Sequence, residues 1–245
     1  MSEAHCSTSP QELAQYFDHT QLAAYATQQD FEKLCGESAK YGFKMVAINP
    51  APVALCRRLL AGSGVRVGAA VGFPLGQSTL AVKLAETLDA IENGADEIDY
   101  VINIGRLKDG DTRYIEQEME TIVDACRKQK RTSKVIFETC YLTDDEKREL
   151  CRIALAVRPD FVKTSTGFGP AGATLEDVRL MQGMVGGQIG IKAAGGVRTL
   201  ETALAMIDAG ATRIGSTASV AIMEEYLRQT DGDADAVLNL HENSG

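Results

Sequence analysis

The chain has 245 residues, 44% of them hydrophobic, and a formal net charge of −9, so it can bury a large core in one domain. The acidic balance excludes nucleic acid and anionic membrane as partners, because both need clustered Lys and Arg; a small anion held by a local site remains compatible with it. The opening MSEAHCSTSPQEL lacks the regions of a signal peptide, and no apolar run approaches a membrane span, so a soluble, cytoplasmic protein is expected.

The first ordered element is legible at Ser9-Pro10-Gln11-Glu12, which offers an N-cap serine, proline at N1 and glutamate at N3 of a short helix. Beyond it an apolar-periodic helix, a glycine and a β-rich run recur, as in LAVKLAETLDAIENGADEIDYVIN and LETALAMIDAGATRIGST. Gly42, Gly94 and Gly210 sit where a helix end requires positive φ. Leu80, Leu84, Leu88 and Ile91, and likewise Leu200, Leu204 and Ile207, form stripes for packing on a sheet.

Eight strands are predicted, at 16–20, 44–49, 66–73, 97–103, 134–139, 160–166, 189–194 and 211–216, the run YFDHT being the least regular. Regular βα alternation implies a parallel sheet, and eight units in about 250 residues is the size of a (β/α)8 TIM barrel. The alternative, a doubly wound open sheet, lacks a G-x-G-x-x-G after the first strands. No linker interrupts the chain, so residues 1–245 read as one barrel domain, with a core over about 12–225 and a short acidic tail.

In such a barrel the chemistry lies at the C-terminal ends of the strands. By that rule Lys44 and Lys134 open their strands and belong to the stability face, and Asp96 and Glu97 face solvent at the bottom. Lys163 and Lys192 lie in the later halves of adjacent strands, in DFVKTST and IGIKAAGG. A free lysine, with a pKa of about 10.4, is neutral in roughly one molecule in a few thousand at pH 7. Burial and a neighbouring ammonium lower that pKa, and a lysine so tuned attacks carbonyls to form a Schiff base. The competing reading is a pair of lysines snorkelling their tips to water.

Asp99 lies within an apolar run, between Ile98 and Tyr100, where a carboxylate must meet a cation or a water network. It is a candidate general acid/base or a member of a structural ion pair. Glycine-rich loops follow the last two predicted strands, AAGGVRT with Gly195 and Gly196, and RIGSTAS with Gly215 and Ser216. Loops there commonly hold a phosphate; Ser216 can equally serve as an N-cap, and Gly167 after the sixth strand can contribute similarly.

Metal chemistry is not expected. His5, His19 and His241 are scattered, and Cys6, Cys35, Cys56, Cys126, Cys140 and Cys151 show no ligand spacing, reading as reduced thiols. No G-x-S-x-G elbow supports a serine hydrolase.

FDHT (17–20), VGFPLG (71–76), GADEIDYVINIG (94–105), KVIFET (134–139), DFVKTSTGF (160–168), IKAAGGVRT (191–199) and GATRIGST (210–217) together resemble the deoxyribose-phosphate aldolases. The resemblance implies a (β/α)8 barrel that cleaves 2-deoxy-D-ribose 5-phosphate to acetaldehyde and D-glyceraldehyde 3-phosphate through a lysine Schiff base, without a cofactor. It implies Lys163 as the Schiff-base lysine, Lys192 as the second lysine, Asp99 as the proton donor and acceptor, and Asp18 as a supporting group. Gly167, Gly195, Gly196, Gly215 and Ser216 would surround the phosphate, with Thr166 beside the sugar.

The sequence departs from that pattern in places. Many relatives continue D-H-T-L-L-K-P where this chain has DHTQLAAYA, and Ala47 stands where a cysteine is frequent. The acidic tail after Tyr226 lacks a terminal tyrosine, and its composition favours disorder at the very end. Two other readings stand beside the first: a class I aldolase for another sugar phosphate, and a non-catalytic sugar-phosphate sensor, which would have no need of a nucleophile. Exposed barrel helices offer surfaces for a homo-oligomer.

Overall fold

In the computed structural model the recurring helix–glycine–strand unit closes on itself. The structure describes residues 8–242, with side chains through residue 230; His5, Cys6, the His241 side chain and the end of the tail lie outside the described residues. The strands are β1 (Phe17–Gln21), β2 (Met45–Ile48), β3 (Arg66–Val71), β4 (Glu97–Val101), β5 (Thr132–Ile136), β6 (Phe161–Lys163), β7 (Gly190–Ala194) and β8 (Arg213–Ser216). Each pairs in parallel with the next, and β8 returns to β1, which is the expected (β/α)8 barrel.

The helices are α1 (Pro10–Ala14), α2 (Gln28–Tyr41), α3 (Val53–Leu59), α4 (Leu80–Glu92), α5 (Ile104–Lys108), α6 (Thr112–Lys128), α7 (Asp144–Val157), α8 (Leu175–Val185), α9 (Leu200–Asp208) and α10 (Ser219–Glu242). The capping box of α1 forms as its sequence predicts: Glu12 N–H donates to Ser9 Oγ at 3.2 Å, and Ser9 N–H donates to Glu12 Oε2 at 2.7 Å. Helix α10 continues past Tyr226 through the acidic stretch. None of the helices described is long and apolar enough to cross a membrane.

Alternation along the strands sorts side chains by destination. Val46, Val67, Ile98, Val135, Val162, Ile191 and Ile214 point outward and join the apolar layer beneath the helices. The alternate positions point into the barrel, where branched apolar residues ordinarily fill the layers. Here that space is largely charged: Asp18, Glu97, Asp99, Lys134, Lys163, Lys192 and Arg213 are all buried.

The stripe predicted on α4 is rotated in the structure. Leu88 is 44% exposed, whereas Lys83 and Thr87 are buried. Lys83 takes the inner face because its ammonium reaches Glu118 Oε1 at 2.6 Å and the Val101 carbonyl at 2.7 Å. That pair ties α4 and α6 to the end of β4.

Candidate active site

Strand β4 sets the arrangement, placing Glu97 and Asp99 on one interior face two positions apart. Registers then bring Lys134 level with Asp99, and Lys163 level with Lys192. Lys163 Nζ donates to Asp99 Oδ2 at 2.9 Å, and Lys192 Nζ donates to the same oxygen at 2.7 Å. Lys192 also pairs with Asp18 Oδ2 at 2.6 Å. The contact between Lys192 on β7 and Asp99 on β4 spans the barrel, so the strand-end lysines and the carboxylate on β4 meet at one place, as the sequence reading required.

Two expectations fail. Lys134 does not belong to the stability face, and Glu97 does not face solvent at the bottom: both are fully buried inside the barrel, Lys134 Nζ lying 2.6 Å from Asp99 Oδ1 and 2.6 Å from Glu97 Oε2. Strand tilt and stagger lift residue 134 to the level of Asp99, and a lysine stem spans the rest. Arg213, which the sequence reading passed over, completes the layer by binding Asp18 through its Nε (2.8 Å) and Nη2 and Glu97 through its Nη2 (3.2 Å). Its signal was that of Asp99, a charge set within an apolar strand.

Burial lowers the pKa of Lys163 and the charge of Lys192 adds to this; Asp99 opposes both, leaving the ammonium at about 8. At pH 7 roughly one such lysine in ten is a free amine, against one in a few thousand in water. Burial pushes the Asp99 carboxyl upward, but Lys134, Lys163 and Lys192 outweigh that and hold it well below the ordinary carboxylate range.

Above the charges opens a cavity of about 600 Å³. Lys163 and Lys192 reach its floor, and Thr166, Gly167, Gly195, Gly196, Gly215 and Ser216 lie on its walls. Asp99 and Asp18 are not on the walls: they sit beneath, behind the lysines. Arg198, unassigned from sequence, lines the same cavity as an exposed cation. The loops after β6 and β7 meet backbone to backbone, Ala173 N–H donating to the carbonyls of Ala194 (3.1 Å) and Gly195 (3.0 Å). Gly215 leaves room below for Lys192, whose Cε lies 3.1 Å from where a Cβ would stand.

Two hydroxyls are already engaged. Ser216 Oγ donates to the Val197 carbonyl at 2.7 Å and accepts from Ala218 N–H at 2.9 Å. The Thr166 hydroxyl donates to Glu138, whose Oε1 also accepts from Thr166 N–H at 3.1 Å. Phe168 N–H then donates to Thr166 Oγ1 at 3.0 Å. Glu138 is thus the clamp of the loop after β6. Its backbone is left-handed at φ 58°, a feature the motif KVIFET did not reveal.

The model of the DeoC/LacD family aldolases matches residues 12–223 of this sequence. The chain belongs to the DeoC/LacD aldolase family. Within that family it is 54% identical over 226 residues to the deoxyribose-phosphate aldolase of Bacteroides thetaiotaomicron, covering 92% of this chain and 95% of the relative. It is 51% identical over 215 residues to that of Thermococcus gammatolerans, covering 87% and 96%. Among solved structures, the tetrameric deoxyribose phosphate aldolase of Aeropyrum pernix superimposes with a TM-score of 0.84 at 31% identity, covering 89% of this chain and 92% of that one. The resemblance read from the motifs therefore extends through the whole barrel of this DeoC/LacD aldolase.

Proposed function

We propose that this DeoC/LacD aldolase cleaves 2-deoxy-D-ribose 5-phosphate reversibly to D-glyceraldehyde 3-phosphate and acetaldehyde through a Schiff base on Lys163. The observation that carries the reading is the pair of buried lysines on the cavity floor that share one oxygen of Asp99. A sensor that only bound a sugar phosphate would have no use for burying a second ammonium beside the first, at an electrostatic cost.

The neutral Lys163 amine adds to C1 of the open-chain sugar, and loss of water leaves a protonated imine. The proton of the C3 hydroxyl leaves through a water or through Lys192, whose ammonium hands one of its own protons to Asp99 Oδ2 as it takes up the substrate's; because Asp99 lies behind the wall, it is the acceptor reached through these carriers. The C2–C3 bonding electrons move into C1–C2 as the C=N π pair withdraws onto nitrogen, giving the enamine and freeing glyceraldehyde 3-phosphate. The enamine takes a proton at C2, and water hydrolyses the imine to acetaldehyde and free Lys163.

The phosphate lies among Gly167, Gly195, Gly196, Gly215 and Ser216, with Thr166 beside the sugar and Arg198 at the mouth. With both hydroxyls engaged internally, backbone N–H groups and Arg198 carry that recognition. We also infer a cytoplasmic homo-oligomer; the description of the Aeropyrum pernix relative as tetrameric supports the assembly.

A donor comparison tests the reaction. With glyceraldehyde 3-phosphate as acceptor, acetaldehyde is expected to give a five-carbon deoxysugar phosphate and dihydroxyacetone phosphate to give no product. The reverse pattern would reassign the donor.

A further inference from the structure

Among the described residues, seven ionisable side chains meet in one buried layer inside the barrel, and they do not balance: Lys134, Lys163, Lys192 and Arg213 have only Asp18, Glu97 and Asp99 as buried carboxylate partners. Glu138, also buried, stands outside that layer, its oxygens held by the N–H and O–H of Thr166. Strands β2 and β3 add only uncharged residues to this space, such as Met45 and Gly68, whose missing side chain makes room for the Met45 thioether. Arg66 touches Glu97 from the rim but is about half exposed, and Arg198 is exposed at the mouth; solvent screens both.

With every group ionised, four cations meet three carboxylates. An uncompensated buried charge is costly, and releasing one proton removes it. The contacts choose the donor. Arg213 holds Asp18 and Glu97 and does not deprotonate. Lys192 has two carboxylates, Asp18 and Asp99, and Lys134 has two, Glu97 and Asp99. Lys163 has one, at 2.9 Å, on an oxygen it shares with Lys192. It is the least compensated amine of the set.

We propose that Lys134, locked in place by Glu97, is a positioning residue that sets the ionisation of the Schiff-base lysine without touching the substrate. It acts in two ways. It occupies Asp99 Oδ1 at 2.6 Å, so only Oδ2 remains for Lys163 and Lys192 to share. It also supplies the fourth cation, without which the interior would be neutral with Lys163 protonated. Removing a positive charge from beneath the site therefore makes Lys163 hold its proton more tightly. The depressed pKa of Lys163, to which burial, Lys192 and Lys134 all contribute, agrees with this arrangement.

The inference rests on the Schiff-base reading, and the experiment separates the two. The rate of borohydride-trapped adduct formation with acetaldehyde is measured against pH for the wild type, Lys134→Met and Lys134→Arg, with circular dichroism to confirm folding. Lys134→Met is expected to raise the apparent pKa of imine formation by about one unit or more, losing about tenfold in rate at pH 7 and regaining it at higher pH. Lys134→Arg, which keeps the charge, is expected to follow the wild-type profile.

A Lys134→Met profile superimposed on the wild type would overturn the proposal, whatever its absolute rate. If that variant does not fold, Glu97→Gln decides. Four cations would then face two carboxylates, so the pKa is expected to fall, and an unmoved or raised value would overturn the proposal. A wild type that forms no adduct at any pH would remove the Schiff-base reading and this one with it.

Discussion

Lys163 and Lys192 meet on a single oxygen atom, Oδ2 of Asp99, at 2.9 Å and 2.7 Å. Neither ammonium has that carboxylate oxygen to itself, so Asp99 holds the two side chains together while only partly neutralising them. The charge of Lys192 lowers the pKa of Lys163 in addition to the effect of burial. Lys192→Met is expected to reduce turnover by about 10² to 10⁴ through lost proton transfer and to move the pH profile of imine formation upward. A pH-rate series on the purified variant checks both effects. A profile unmoved from the wild type would show that Lys192 does not tune Lys163.

Gly195 tests the loop geometry. Its φ is +86°, and a Cβ there would stand 2.9 Å from the Gly172 Cα and 3.2 Å from that of Gly167. Gly195→Ala must therefore displace backbone in the loop after β6. The expected cost is about 1–3 kcal/mol of stability, read from urea unfolding, with a rise in KM for the sugar phosphate of about tenfold or more. Unchanged values for both would mean that the two loops do not need this close approach.

Glu138 addresses the same wall from below. It accepts both the N–H and the O–H of Thr166, and an amide in its place can offer only one acceptor oxygen. Glu138→Gln is expected to lose about 1–2 kcal/mol of stability and to raise KM for the sugar phosphate several-fold. Imine formation with acetaldehyde, which has no phosphate to hold, is expected to stay near the wild-type rate. Equal losses with both substrates would make Glu138 a general structural residue.

Much of this was legible in the sequence because helices that end on glycine and feed β-rich runs leave few other topologies. Lys163, Lys192 and Asp99 were found by their positions along strands, which the barrel converts into a shared place. That rule has no knowledge of register, and there it failed. Lys134 opens the run KVIF, yet β5 pairs it with Asp99 rather than with a residue below. Glu97 shares the parity of Asp99 and so its interior face; its position at the strand start concealed this. The predicted sixth strand, 160–166, stops at Lys163 in the structure, because Thr166 is drawn to Glu138 and Gly167 turns the chain at φ 87°. None of these side-chain captures leaves a local signature.

The buried carboxylates also give an acid limit. Burial pushes Glu97 upward, but Lys134 and Arg213 outweigh it and lower its pKa from the ordinary 4.5 to about 2. Between those values the unfolded chain binds a proton that the native state refuses, so stability is lost as pH falls from 4.5 towards 2, by a few kcal/mol for this group alone. Urea midpoints measured from pH 6 to 2.5 are expected to fall less steeply in Glu97→Gln than in the wild type below pH 4.5. Parallel curves would contradict the assigned pairing.

The central claim is that Lys163 carries the substrate covalently. The most direct measurement is borohydride reduction of the wild type in the presence of acetaldehyde, followed by peptide mass mapping, with Lys163→Leu as a folded control. A two-carbon adduct on the peptide containing Lys163, absent from the variant, is the expected result. An adduct on another lysine, or turnover near the wild-type rate in Lys163→Leu, would contradict it.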